Sequence, residues 1–395
     1  MKILVCNVGS TSLKYQLIDM DDNEKSLCIG KVERVGSQNG IYSHNDINGL
    51  NFKKEMPISN HGIAIEYMIE TLKKGLIKSL EEISCIGFKV VHAKGVSGVQ
   101  ELNENVLKAM ADFNSIAPAH NPPYISAIRQ FKKIVPTIPL IGSFETGFHQ
   151  TMEPRAYLYP IDRNISEKYS IRRYGFHGAS HEYLANKVSE YMGKKKIKVI
   201  TCHLGGSASI CAINDGKSVD TTLGFSLQCG IMHNNRCGDI DPYIIFYLMD
   251  EAKMSEDEIK LMLNKNSGLY GMSHISNDLR DIEIEASKGN VDAINTIEKY
   301  CYDITKYIGA YIASLGGVDA IVFSGGIGEN SSLVRQKVLE NLEFLGIKMD
   351  NDLNRFAKCD AKISSKDSKV EIYIIATNEE IIIARKAKEY LLSSK

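Results

Sequence analysis

Shifted by 196 residues against itself, the chain meets its own opening again. Ile3-Leu4-Val5-Cys6-Asn7-Val8-Gly9-Ser10-Thr11-Ser12 falls without a gap on Val199-Ile200-Thr201-Cys202-His203-Leu204-Gly205-Gly206-Ser207-Ala208, and Leu17 and Asp19 fall on Ile213 and Asp215. Each copy reads as a strand, a tight Gly/Ser turn and a second strand, which is a β-hairpin whose turn exposes backbone N–H groups. An offset of 196 in 395 residues points to two halves of common design, each opened by the same hairpin. The length agrees, since domains run to ~100–200 residues.

The segments between the repeats alternate strand-like and helix-like character, the pattern of an α/β architecture. Apolar, β-branched runs at 3–6, 86–91, 139–141, 198–201, 320–323 and 370–376 predict strands. Helical periodicity covers 63–74, 181–192, 293–315, 333–345 and 378–392. Charge excludes one class of partner. With 47 Lys+Arg against 48 Asp+Glu, no electrostatic footprint for nucleic acid or an anionic membrane exists. No apolar run reaches the ~18–20 residues of a membrane span, and Asn7 interrupts the N-terminal apolar stretch too early for a signal peptide. Nine cysteines include no CxxC pair and mostly sit in apolar segments, as buried reduced thiols do. A cytoplasmic, soluble protein is expected.

Three Gly/Ser turns give the first chemical signal. The two hairpin turns let a backbone approach a polyphosphate closely, their N–H groups and hydroxyls facing its oxygens, and Lys14 adds a positive charge. The third turn, Ser324-Gly325-Gly326-Ile327-Gly328-Glu329-Asn330, follows the 320–323 strand and opens a helix expected from Ser331. It matches neither the Walker A nor the dinucleotide spacing. Asn7 and Glu379 stand at strand ends, where α/β proteins line their ligand crevices. An amide and a carboxylate there suit Mg²⁺, although Asn378 and Glu379 also read as the cap and first-turn charge of the last helix. Arg172-Arg173-Tyr174-Gly175-Phe176-His177-Gly178-Ala179-Ser180-His181 gathers cations among glycines. His177 and His181 have the i, i+4 spacing of a metal pair, but no third ligand is near, and a transferring phosphoryl group suits them better. Arg236 sits in a turn-rich loop, either reaching into a cleft or pairing with Asp239 or Asp241.

Taken together, these segments resemble the acetate kinase family, within the acetate and sugar kinase/Hsp70/actin superfamily. The resemblance runs in order through 7–15, 117–122, 148–152, 173–178, 238–242, 326–330 and 377–380. It implies a duplicated actin-like (ribonuclease H-like) α/β fold of two domains with the site in an interdomain cleft. The expected division is 1–148 plus 380–395, on the acid and phosphate side, and 149–379, on the nucleotide side. By the same resemblance Asn7 and Glu379 help hold Mg²⁺, and Ser10, Ser12, Lys14, His203, Gly205, Gly206 and Ser207 face the phosphates. Asp278, Leu279 and Arg280, with Gly326, Ile327, Gly328, Glu329 and Asn330, cradle the nucleoside. Glu145, His177 and Arg236 carry the catalysis, and Lys89, Val91, His120, Phe176 and Leu227 surround the acid. ATP, a small carboxylic acid, Mg²⁺ and a homodimeric partner are implied.

Several positions depart from the family pattern. His-Arg-Val-Val-His-Gly-Gly appears as Phe88-Lys89-Val90-Val91-His92-Ala93-Lys94, which keeps the charge but loses the planar fork of arginine. The catalytic aspartate of Phe-Asp-Thr-Ala-Phe-His is Glu145. His-Leu-Gly-Asn-Gly becomes His203-Leu204-Gly205-Gly206-Ser207, and Met-Gly-Thr-Arg becomes His233-Asn234-Asn235-Arg236. Leu227 replaces a proline and Ala119 a leucine. Either the chain is a nucleotide-binding paralogue that has lost the family activity, or Lys89 and Glu145 changed together, with Ala119 opening space for a larger acid such as propionate or butyrate.

Overall fold

The structure, a computed structural model, describes residues 1–118 and 120–393. Ala119 therefore lies outside the described residues. The chain divides into two units, Met1–Gln150 with Asn378–Lys395, and Thr151–Thr377.

The first unit is built on eight strands: β1 (Lys2–Gly9), β2 (Ser12–Asp19), β3 (Lys25–Glu33), β4 (Ser37–Asp46), β5 (Asn51–Ile58), β6 (Ile83–Val90), β7 (Val99–Glu101) and β8 (Leu140–Phe144). They pair in the order β5-β4-β3-β2-β1-β6-β8-β7. The second unit has six: β9 (Lys198–Leu204), β10 (Ala208–Asn214), β11 (Lys217–Thr221), β12 (Ala320–Ser324), β13 (Ala361–Lys362) and β14 (Glu371–Ile374), in the order β11-β10-β9-β12-β14-β13.

The two sheets share one plan. In the first, β3, β2 and β1 are antiparallel neighbours and β1, β6 and β8 are parallel ones, with β7 antiparallel at the edge. In the second, β11, β10 and β9 are antiparallel, β9, β12 and β14 parallel, and β13 antiparallel at the edge. The duplication read from the sequence is thus a duplication of topology. Its hairpins differ in one respect. Gly9 pairs with Ser12, leaving a two-residue turn, whereas Leu204 pairs with Ala208, leaving Gly205-Gly206-Ser207 as a three-residue turn.

Parallel neighbours need crossover connections, which helices supply. The helix Glu379–Ser393 packs on β1, β6 and β8, and Gly87 makes room for it, since a Cβ there would stand 3.0 Å from Ile383 Cγ2. In the second unit, the long helix Val291–Leu315 packs on β9 and β10 through Ile297, Cys301, Ile304 and Ile308, all buried. Its predicted span, 293–315, is nearly met, whereas 333–345 divides into the helix Ser332–Glu340 and a 3₁₀ turn, Glu343–Leu345.

The glycine turn after β12 corrects the sequence reading. The helix begins not at Ser331 but within the glycines, as Gly325–Asn330, and Ser331 then caps the next helix by accepting from Val334 N. Gly325 takes φ +77, and a Cβ there would stand 2.6 Å from the Leu204 carbonyl oxygen, so only glycine admits this entry. Among the described residues no helix is long and apolar enough to cross a membrane.

Candidate active site

In the first unit the polar groups collect at one end of the parallel strands. Asn7 lies near the end of β1, Lys89 is the penultimate residue of β6, and Glu145 follows β8 directly. Because these strands are parallel neighbours, their carboxyl ends fall together, the usual place for a ligand in such sheets. The last helix brings Glu379 to the same group. Lys89 Nζ lies 2.7 Å from Glu145 Oε1 and 2.5 Å from Glu379 Oε2. All three side chains are largely shielded from water. Burial alone would lower the Lys89 pKa, but the two carboxylates raise it well above the ordinary lysine value. The ammonium has three N–H donors, and these contacts use two of them.

Asn7 Oδ1 accepts from the Tyr124 hydroxyl at 2.7 Å, and burial raises the pKa of that phenol so that it stays a donor. Lys14 stands opposite Asn7 in the hairpin and is exposed, as are Ser10 and His120, while Ser12 is half-buried. Val91 is buried. Asn378 does cap the last helix, its Oδ1 accepting from Ile381 N at 3.2 Å. Glu379, in the first turn of that helix, pairs with Lys89.

The second unit carries a histidine cluster and a cavity. His177 sits in the left-handed region at φ 57, just before the helix Gly178–Met192. Ser209 Oγ lies 2.8 Å from His177 Nδ1 and 2.7 Å from His181 Nε2, while His181 Nδ1 meets Thr201 Oγ1 at 2.7 Å. One hydroxyl proton serves two imidazoles, so at least one ring donates to it. His203 Nδ1 meets Ser180 Oγ at 2.8 Å, and its ring lies tilted by 30° against that of His177 with centroids 4.5 Å apart. Both nitrogens of His181 are therefore engaged by hydroxyls, and the i, i+4 pair is bridged by a serine. Phe176 is fully buried beside this cluster in sequence.

Arg236 donates to the Leu227 carbonyl and, at 2.5 Å, to Ser207 Oγ. The aspartates weighed as its partners have other roles: Asp239 accepts from Gly230 N and the Tyr307 hydroxyl, and Asp241 from Tyr243 N. His233 accepts from Ala208 N at 2.9 Å. Burial, and then the neighbouring Arg236 charge, hold its pKa well below the usual imidazole value.

The cavity holds about 560 Å³ and is lined by Gly205, Gly206, Asn234, Asp278, Leu279, Arg280, Glu283, Gly326, Ile327, Asn330 and Ser331. Eight of these were expected from the sequence. Asp278 and Arg280 bind each other through Nε and Nη2, and the guanidinium lowers the Asp278 pKa to about 2. Gly328 and Glu329 do not line it. The Gly328 carbonyl accepts from buried Arg335, and Glu329 Oε1 turns back to accept from Gly325 N at 2.9 Å. The sequence reading missed Glu283, Ser331 and Asn234 as lining residues and Tyr124 as the partner of Asn7. Glu283 lies one helical turn beyond Leu279, so helical spacing carried its signal. Nothing in the local sequence marks Tyr124.

Mg²⁺ prefers hard oxygen donors, few from protein, with phosphates and waters completing the shell. An amide oxygen at Asn7 and a carboxylate at Glu379, at one end of the same strands, fit that chemistry. Among the described residues no group of three His, Cys, Asp or Glu side chains gathers as a metal site.

Residues 2–385 match the model of the Acetokinase family. An acetate kinase of Clostridium botulinum is 46% identical over 98% of this chain and 99% of its own length. Among solved structures, the acetate kinase of Porphyromonas gingivalis superposes with a TM-score of 0.89 at 37% identity, covering 99% of both chains. A propionate kinase from Francisella tularensis gives 0.89 at 35% identity, covering 98% of both.

Proposed function

The chain belongs to the acetokinase family, and from that premise we propose that it transfers the γ-phosphoryl group of ATP, reversibly, to a short-chain carboxylate. Acetate is the default acid, and the products are an acyl phosphate and ADP. The observation that carries this reading is Lys89, a shielded ammonium fixed by two carboxylates with its third N–H donor uncommitted among the described residues.

A carboxylate is already ionised at pH 7, so the reaction needs no strong general base. A carboxylate oxygen forms the new bond to the γ-phosphorus while the bond to the β,γ-bridging oxygen breaks, and ADP leaves with that electron pair. The chain must hold two anions in line and offset their repulsion. Lys89 holds the acid through its third N–H. Glu145 fixes where that ammonium points. Arg236, steadied by Ser207 and the Leu227 carbonyl, and His177, steadied by Ser209, neutralise charge on the transferring group. The glycine turn 205–207 and the segment 326–330 receive the nucleotide, with Asp278 and Arg280 at the nucleoside end. Asn7 and Glu379 would hold Mg²⁺, which supplies charge neutralisation on the phosphates.

The helix Tyr243–Asp250 exposes Tyr243, Phe246 and Tyr247 by 77%, 56% and 66%, apolar surface that supports a homodimer. Balanced charge and nine free thiols, six of them buried, support a cytoplasmic location.

The test is acyl-phosphate formation from Mg·ATP with acetate, propionate or butyrate, trapped by hydroxylamine against a no-acid control. Product with acetate is expected. Product with none of the acids, despite ATP binding, would leave a repurposed paralogue, and a clear preference for a larger acid would move the substrate.

A further inference from the structure

One polar side chain on the wall of the nucleotide cavity has no task. Asn234 lines that cavity beside Gly205 and Gly206. Its backbone is committed, since the N–H donates to the Gly206 carbonyl at 3.1 Å and its own carbonyl accepts from Tyr270 N at 2.9 Å. Its carboxamide has no hydrogen-bond partner among the described residues, and Oδ1 is buried. Buried polar atoms are nearly always paired; Oδ1 lacks a donor and Nδ2 donates to no acceptor among the described residues, so both ends of this amide are open to a partner from the cavity, an acceptor at Nδ2 and a donor or water at Oδ1.

The amide nitrogen lies over the turn. A Cβ built at Gly206 would stand 3.3 Å from Asn234 Nδ2, tighter than ordinary van der Waals contact. A side chain at 206 and the carboxamide of Asn234 therefore compete for the same space. The sequence bears the mark of that competition. Where the family pattern reads His-Leu-Gly-Asn-Gly this chain has Gly206, and where it reads Met-Gly-Thr-Arg this chain has Asn234. Asparagine has left one loop and entered the other, and glycine has made the reverse move.

We infer that Asn234 supplies from the facing loop the carboxamide that the family pattern carries at position 206, and that its Nδ2 donates to a phosphate oxygen of the bound nucleotide. The inference rests on the reading of this cavity as the nucleotide site. Charge assigns the phosphate end. Arg236 reaches Ser207 on the same turn at 2.5 Å, whereas Asp278 and Glu283 bring carboxylates to the lining, which would repel phosphates. Ser331 Oγ donates to Glu283 at 2.5 Å, which fixes that carboxylate as an acceptor suited to the nucleoside.

The experiment is calorimetric titration of the full chain with Mg·ATP and, separately, with adenosine. The variants are Asn234→Gly, Gly206→Asn and the two combined, each checked for a native thermal transition. Asn234→Gly is expected to weaken Mg·ATP binding by roughly 10-fold or more, the scale of one hydrogen bond to a charged group, and to leave adenosine binding unchanged. Gly206→Asn alone weakens Mg·ATP by crowding, and the double variant recovers most of the loss. Asn234→Asp, which keeps the shape, puts a carboxylate at the phosphates and weakens Mg·ATP further than glycine does, so it decides the matter if the glycine variant fails to fold. Wild-type affinity in Asn234→Gly, an equal loss for adenosine, or no recovery in the double variant would overturn the inference. Failure of the wild-type chain to bind Mg·ATP at all is a different result, since it removes the nucleotide site and this assignment with it.

Discussion

Lys89 Nζ and Glu145 Oε1 stand 2.7 Å apart, so the two residues that depart most clearly from the family pattern are direct partners. Each side chain changed length in the sense that the other requires: the lysine reaches less far than an arginine and the glutamate further than an aspartate.

Lys89→Arg and Glu145→Asp therefore depend on each other. Either single change misplaces the partner by about 1 Å, a displacement that costs ~100-fold in rate at a reacting centre. The double variant restores contact, and its kcat/KM for the acid returns to within about tenfold of the starting enzyme. Steady-state kinetics of all four proteins measures the coupling. Losses that simply multiply in the double variant would mean that the pair is not tuned.

Arg236→Lys keeps the charge and loses the fork that serves the Leu227 carbonyl and Ser207 together. The expected result is a kcat lowered by ~100-fold or more, with Mg·ATP affinity changed far less. Pre-steady-state rates alongside binding isotherms separate the two. Equal losses in both would make Arg236 a binding group only.

His233 makes stability depend on pH. Its folded pKa lies well below that of a free imidazole, so between the two values the unfolded chain binds the extra proton. Stability is then full above ~6.5 and falls as pH drops toward the folded value. His233→Asn keeps an acceptor for Ala208 N and removes the titration. Urea midpoints measured from pH 7.5 to 5 should fall less steeply in the variant. Parallel slopes would place the acid sensitivity elsewhere, His44 being the next group held neutral by burial.

The exposed face of Tyr243–Asp250 gives the fourth expectation. Replacing Phe246 and Tyr247 together by glutamate puts two charges into the surface proposed to meet a second copy. Light scattering should then report a monomer for the variant and a dimer for the unchanged chain, with the far-ultraviolet spectrum intact. A dimer that survives both changes would remove this helix from the interface.

Much of this architecture was legible because the hairpin repeats. The strand-turn-strand pattern repeated from 3–19 to 199–215 pointed to two halves of common design, and both sheets follow one pairing plan. The turn lengths were not legible, since the 196-residue offset is gapless while the pairing of β9 with β10 is one residue out of step with that of β1 with β2. Register is set by how a turn closes, and glycines permit the wider one. The glycine turns, Asn7 and Glu379 were readable because such residues are unusual at strand ends, whereas Lys89 and Glu145 stood out only through the family resemblance. The contact of Lys89 with Glu379 was not, because 290 residues separate them and only the parallel order of β1, β6 and β8 brings the last helix there. Asn234 was visible as a departure but not as a lining residue, because its meaning depends on an empty Cβ position at Gly206.

That last helix also has a meaning for synthesis. Glu379 belongs to the first unit but is translated after the whole of the second. As the chain leaves the ribosome, Lys89 and Glu145 emerge hundreds of residues before the second carboxylate, and β1, β6 and β8 wait as long for the helix that covers them. The first unit cannot finish folding until the whole of the second has been synthesised. A chain that stops before this helix thus lacks both the cover of that sheet and the second carboxylate of Lys89, with an apolar surface left open for proteolysis to find.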